Sequence, residues 1–152
     1  MQGQNYDYIF RKLITLSLKR ANLICGDSCD EDTKRERLFL KNILFPDVIE
    51  AAEVYDEKIK SFVNGLSLDE IKNIVLVKSI GQSYLMCFEP DEFYKKNSPE
   101  KIYSMETKRS YFTGNNYHSQ GDAAKEYHCN SITKNYLLHD YLITGLKILK
   151  FI

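Results

Sequence analysis

The sequence predicts a mainly α-helical protein, built as a single-domain helical bundle of about five to seven helices with an irregular, aromatic-rich loop region. Apolar residues recur every three to four positions in several segments, and helix-capping signatures precede two of these segments. The 152 residues include 3 prolines and 7 glycines. Because proline and glycine interrupt regular structure, their scarcity favours long helices over many short strands. A chain of this length suits one domain, which we place over residues 1–152.

The first predicted helix runs from about Tyr6 to Ile24 and stops at Cys25-Gly26-Asp27. Its apolar side is formed by Tyr6, Phe10, Leu13, Ala21 and Ile24. Its polar side is formed by Arg11, Thr15, Lys19 and Asn22. This separation follows the helical period of about 3.6 residues, so we expect one face to pack against the core.

The next helix is predicted to begin at Phe45-Pro46-Asp47 and to end at Asn64-Gly65, where the glycine acts as a cap. Ser67-Leu68-Asp69-Glu70 is typical of a capping box and starts a third helix. Apolar positions between 71 and 77 place this helix at the centre of the core. Their β-branched side chains leave a buried strand as the alternative. Gly81 predicts a kink or an end.

Later in the chain the helical pattern is interrupted. Ser98-Pro99-Glu100 predicts a helix start, with proline at the first helical position, and this helix reaches about Tyr111. A polar loop follows from Thr113 to Asp122. The last predicted helix begins near Asn130 or Ser131 and runs to about Lys150.

Charge and hydropathy exclude several classes of protein. Lys plus Arg and Asp plus Glu each number 21, so the formal net charge is zero. This balance argues against a wholly basic nucleic-acid binder, though not against a local basic patch. Residues 84–128 hold six basic and seven acidic side chains, so the tyrosine-rich segment lacks the positive excess that a nucleic-acid site requires. The apolar runs are far shorter than the roughly 20 residues that cross a bilayer, so we expect no membrane segment. The N-terminus does not resemble a secretory signal, and we interpret the 4 cysteines as reduced thiols, which together predict a cytoplasmic location.

Two groups of residues suggest a metal, and neither has the usual spacing. The first offers thiolate and imidazole donors for zinc: Cys25, Cys29, His128 and Cys129. Its last two members are adjacent, whereas zinc ligands usually come as compact pairs on tight turns. The second resembles a calcium loop: Asp27, Asp30 and Asp32. The glycine that such a loop needs at its sixth position is missing. We predict no cofactor, and zinc binding by the first group is the alternative.

Histidine chemistry is the main catalytic alternative. His139 stands beside Asp140, but adjacent residues on a helix point about 100° apart, so we expect no direct pair. His118 and His128 lie in or near the polar loop, where either offers acid–base chemistry to a small hydrolase or transferase. No motif ties a nucleophile to these histidines, and no glycine-rich nucleotide loop occurs.

The tyrosine-rich segment between residues 84 and 127 predicts the binding surface. We assign this surface to Tyr103, Tyr111, Asn115, Asn116, Tyr117 and His118. Tyrosine provides a large contact area with a polar tip, which suits recognition. The alternative is that these tyrosines cover the edge of the core. The preferred function is a non-catalytic cytoplasmic binding module, bacterial or phage-derived, for another protein or a small ligand. Self-association is a third interpretation.

Two stretches resemble a known family. The first is Leu66-Ser67-Leu68-Asp69-Glu70, followed by an apolar helix that reaches Ile80-Gly81, and the second is Asp140-Tyr141-Leu142-Ile143-Thr144-Gly145-Leu146. In order and distance they are similar to the L-x-x-D-E and D-Y-L-x-x-G-L elements of an uncharacterised bacterial domain-of-unknown-function family, number 3775. They cover under a third of the chain. The resemblance implies a compact helical domain and no assigned activity.

Overall fold

The computed structural model describes residues 4–25, 46–86, 90–109 and 121–152, and within these ranges it contains seven α-helices and no strand. In chain order the helices are α1 (Gln4–Cys25), α2 (Pro46–Asn64), α3 (Leu68–Met86), α4 (Pro90–Lys96), α5 (Pro99–Arg109), α6 (Gly121–Thr133) and α7 (Leu138–Ile148). The mainly α-helical prediction is confirmed, and the strand alternative for residues 71–77 is wrong. No helix in the described ranges has both the length and the apolar character that a membrane crossing requires.

Local sequence signals set two of the helix starts. The Glu70 amide donates to Ser67 Oγ at 3.2 Å, and the Ser67 amide donates to Glu70 Oε2 at 2.8 Å, which completes the predicted capping box. At the start of α5, the Lys101 amide donates to Ser98 Oγ at 3.2 Å. Each serine therefore satisfies a backbone donor that the first helical turn leaves without a partner.

The core is centred on α3 and α7, which share the most extensive interface between helices in the described chain. α1 packs against both α2 and α7, and α6 packs against α2 and α3. Gly81 does not end α3, because the helix continues to Met86; of the two predicted outcomes the end is wrong and the kink stays a prediction. The backbone of α7 passes against this position, at Tyr141 and Gly145, so the glycine provides room for a helix crossing.

The C-terminal segment differs from the single helix that the sequence predicts. It forms two helices, α6 and α7, separated by a turn at residues 134–137. α6 already begins at Gly121, inside the predicted polar loop, where the glycine adopts a φ of 69°. Helical periodicity continues through the turn, so the apolar pattern alone does not reveal it. The turn depends on a contact distant in sequence, the hydrogen bonds that Arg20 donates to the carbonyls of Thr133 and Asn135.

Candidate functional site

A groove of about 710 Å³ runs between α1 and α2. It is lined by Lys12, Leu16, Glu57, Lys58, Ser61 and Phe62. The two helices are antiparallel, because Tyr8 contacts Phe62 near one end and Arg20 contacts Asp56 further along. The lining combines half-buried apolar side chains with exposed charged and hydroxyl groups. Many ligand sites have this combination of apolar walls and a few polar groups.

Aromatic rings support the two ammonium groups of this groove. Lys12 Nζ lies 5.8 Å from the ring centre of Tyr8 and 5.5 Å from that of Phe62. Lys58 Nζ lies 4.9 Å from the ring centre of Tyr55. Cation–π contacts of this kind restrict a lysine while leaving its charge accessible. Among the described carboxylates, none forms an ion pair with either ammonium, even though Glu57 lines the same groove.

Of the six predicted binding residues, the structure describes Tyr103. The other five lie outside the described residues: Tyr111, Asn115, Asn116, Tyr117 and His118. The Tyr103 hydroxyl donates to Asn73 Oδ1, and Asn73 Nδ2 donates to the Tyr6 hydroxyl at 2.7 Å. Burial is the largest cause of the raised pKa of Tyr103, and the nearby Tyr6 raises it further. Tyr103 thus links α5 to α3 and α1, and binding by the six residues stays a prediction.

A buried arginine organises the junction of α1, α2 and the α6–α7 turn. The Arg20 side chain is fully buried, and Nη1 donates to Asp56 Oδ1 at 2.7 Å and to the Thr133 carbonyl at 2.6 Å. Nη2 donates to the Asn135 carbonyl at 2.8 Å. The guanidinium carbon lies 4.2 Å from the ring centre of Tyr136, whose hydroxyl donates to Asp56 Oδ2 at 2.8 Å. These contacts bind the carbonyl of the last residue of α6 and a carbonyl of the following turn, so Arg20 is structural.

Burial and Asp56 also affect the tyrosine of this cluster. Burial is the largest cause of the raised pKa of Tyr136, and the hydrogen bond to Asp56 raises it further. The hydroxyl therefore stays protonated over the physiological range and keeps donating to the carboxylate. Among buried side-chain nitrogens and oxygens in the described ranges, Arg20 Nε is the one without a hydrogen-bond partner. The cluster is otherwise satisfied within the fold.

Ser17, His139 and Asp140 have the composition of a catalytic triad but not its geometry. His139 Nδ1 lies 2.8 Å from Ser17 Oγ, and the His139 backbone amide donates to the same oxygen at 3.1 Å. Ser17 is fully buried, so its hydroxyl has no contact with solvent. Because Leu137 provides no side-chain cap, Ser17 caps the first turn of α7 from a different helix.

The adjacent pair His139 and Asp140 lies closer than the sequence predicts. His139 Nε2 is 3.7 Å from Asp140 Oδ1, which is an ion-pair distance and too long for a hydrogen bond. The two side chains therefore approach each other despite the expected divergence, without a hydrogen bond, and the contact is an ion pair only when the imidazole is protonated. On the opposite side of the imidazole ring, Nδ1 contacts Ser17 Oγ.

His128 and Cys129, the other histidine and thiol candidates that the structure describes, are interior. His128 is 2% exposed on α6, and its ring meets the Tyr127 ring edge-on at 5.1 Å. Cys129 is buried, its thiol approaches the Lys60 carbonyl at 3.8 Å, and burial raises its pKa. In the described part of the chain no three His, Cys, Asp or Glu side chains cluster as a metal site would require. The Cys25 side chain and residues 27–32 lie outside the described residues.

Lys78 is a buried cation that the sequence analysis does not single out. Its side chain is 6% exposed in α3, and Nζ donates to Ser131 Oγ on α6 at 3.1 Å. Burial lowers the pKa of this lysine. Its position in α3, within the apolar sequence from Ile71 to Ile80, is the signal that marks it as interior.

Ser17 and Arg20 are also missed by the sequence analysis, although a signal for both is present. They occupy positions 4 and 7 residues after Leu13, on the apolar stripe of α1. A polar residue within such a stripe indicates a buried polar contact.

Comparisons with protein families, with curated proteins and with solved structures find no match to this chain.

Proposed function

We propose that this protein is a non-catalytic binding module whose recognition surface includes the groove between α1 and α2. The observation that carries the proposal is the lining of this groove, in which Lys12 and Lys58 stand beside the apolar side chains of Leu16 and Phe62. Apolar walls supply most of the binding free energy, and a few polar groups orient the ligand. A cytoplasmic location and a bacterial or phage origin belong to the same proposal.

The burial of Ser17 and His128, which are catalytic candidates within the described residues, supports binding over catalysis. A nucleophile or a general base must reach the reacting atom within hydrogen-bond distance. Ser17 is inaccessible, and its hydroxyl already contacts both the ring and the backbone of His139. His128 is interior as well and is absent from the lining of the groove.

Ligand-observed NMR with a library of small acids, amines and neutral fragments tests the proposal. We expect fragments to bind the wild type and to lose binding to Ser61→Trp, because an indole at this exposed position fills the groove. Ser104→Trp, an exposed serine on α5, is the matched control and should bind as the wild type does. Fragments that bind all three proteins equally would contradict the proposal.

A further inference from the structure

We infer that the occupant of the α1–α2 groove is an acidic segment of a partner protein, carrying an apolar side chain between its carboxylates. This inference rests on the proposed function and names its ligand. The charge of the groove supports this inference. Two ammonium groups line the groove, and neither forms an ion pair with a described carboxylate. A ligand carboxylate can therefore pair with Lys12 or Lys58 without displacing an existing partner.

The aromatic contacts prepare these two lysines for binding. A free lysine side chain loses rotamer freedom when it is fixed in an interface, and that loss weakens binding. Lys12 lies near two rings and Lys58 near one, and this attraction favours the observed side-chain positions in the free protein. Tyr8 is 55% exposed, so its ring also remains available for contact with a ligand.

Glu57 distinguishes a peptide from a nucleic acid as the occupant. Its carboxylate lines the same groove and repels other anions, so the occupant must keep its negative charges apart. The phosphates of a nucleic-acid backbone are closely spaced, whereas the carboxylates of the proposed peptide flank an apolar side chain. A peptide supplies backbone N–H groups, which donate hydrogen bonds to a carboxylate. Leu16 and Phe62 provide the apolar contact for a side chain placed between the acidic residues of the peptide.

Selection from a displayed library of random short peptides tests the inference on the full chain. We expect peptides selected on the wild type to be enriched in Asp and Glu relative to the starting library. Their affinity should fall about tenfold on Lys12→Gln/Lys58→Gln, because each partly exposed charge pair contributes modestly. Lys12→Arg/Lys58→Arg, which keeps both charges, should bind as the wild type does. Lys101→Gln/Lys108→Gln, which removes the same charge from α5, is the matched control and should bind normally.

Two opposing outcomes separate this inference from the function on which it rests. If the selected peptides lose binding to Ser61→Trp but are not acidic, or bind the Lys12→Gln/Lys58→Gln variant unchanged, the ligand class is wrong and the groove remains the site. If the selected peptides bind Ser61→Trp as tightly as the wild type, the groove is not the site, and both the function and its ligand are overturned.

Discussion

Gly81 of α3 and Gly145 of α7 meet at the crossing of the two central helices. A Cβ added at Gly81 would overlap the Tyr141 carbonyl oxygen and lie 2.9 Å from the Gly145 amide nitrogen. A Cβ added at Gly145 would overlap the Val77 carbonyl oxygen and lie 2.9 Å from Val77 Cγ1. Because the obstructing atoms include backbone, neither substitution can be relieved by a change of rotamer.

This crossing predicts that Gly81→Ala and Gly145→Ala each destabilise the protein strongly. We expect the free energy of unfolding to fall by about 3 kcal/mol for either change, since the helices must separate to admit a methyl group. Urea unfolding followed by circular dichroism measures the effect. Gly65→Ala is the control, because the nearest atom to its added Cβ is the Phe62 carbonyl oxygen at 3.4 Å. Equal stabilities for all three variants would contradict the crossing.

Arg20→Ala should destabilise the protein by about 3–5 kcal/mol, because it leaves Asp56 and the Thr133 and Asn135 carbonyls without their donor. Arg11→Ala removes an arginine from the same helix, where the Arg11 and Asp7 side chains are 79% and 62% exposed. That control should change the free energy of unfolding by less than about 0.5 kcal/mol. Chemical denaturation of both variants measures the difference in the free energy of unfolding. Similar losses of stability in the two variants would show that the buried contacts of Arg20 do not stabilise the fold more than an exposed ion pair does.

Ser17→Ala tests the cap that α1 provides to α7. The change removes the hydroxyl that contacts the His139 amide and imidazole, so we expect a loss of about 2 kcal/mol. Thr15→Ala, on the exposed side of α1, should be within about 0.5 kcal/mol of the wild type. Thermal unfolding compares the two. A Ser17→Ala protein as stable as the wild type would show that this cap does not stabilise the fold.

Lys78 predicts a dependence of stability on pH. Burial lowers its folded-state pKa below the ordinary value of 10.5, so the unfolded chain holds the proton more tightly. The resulting penalty on the folded state is complete below the folded-state pKa and disappears as the pH rises from that value towards 10.5. Lys78→Met should therefore stabilise the protein at neutral pH, by on the order of 1 kcal/mol, and this gain should shrink at alkaline pH.

Urea unfolding of the wild type and of Lys78→Met across this pH range measures the difference between them. Comparing the pair is necessary because Cys129 and Tyr136 have raised pKa values, which lower stability at alkaline pH in both proteins. A difference that does not vary with pH would mean that Lys78 does not titrate in the way its burial implies.

Local signals in the sequence predict much of the helix pattern. The capping box at Ser67 and Glu70 acts within four residues, and so does the cap of Ser98 on the Lys101 amide. Such contacts depend on neighbours along the chain, so the sequence displays them directly. The start of α2 at Pro46 and its end at Asn64 also match the predicted boundaries.

Contacts between distant segments account for the errors. The turn at residues 134–137 depends on Arg20, which is 113 residues before Thr133 and 115 before Asn135. Gly81 signals a helix end in isolation, but here it admits the backbone of α7. Periodicity indicates which face is buried and does not identify the segment that covers it.

The sequence predicts less of the candidate site than of the fold. The binding prediction rests on a tyrosine-rich segment, and Tyr103, the described member of the six predicted residues, is half-buried and donates a hydrogen bond to Asn73 of α3. The groove between α1 and α2 has no sequence motif, because Lys12 and Lys58 belong to helices that only the tertiary fold brings together. Exposed lysines are common on helices, so neither residue stands out in the sequence alone.

Residue-resolved NMR of the labelled protein tests the central claim, that the α1–α2 groove is an acidic-peptide site. The probe is a short capped peptide in which glutamates flank two leucines, and the matched peptide has lysines in place of the glutamates. We expect the acidic peptide to shift the amide signals of Lys12, Leu16, Ser61 and Phe62, and to lose this effect at high salt. An unchanged spectrum at millimolar acidic peptide, shifts centred elsewhere, or equal binding of the lysine peptide would contradict the account.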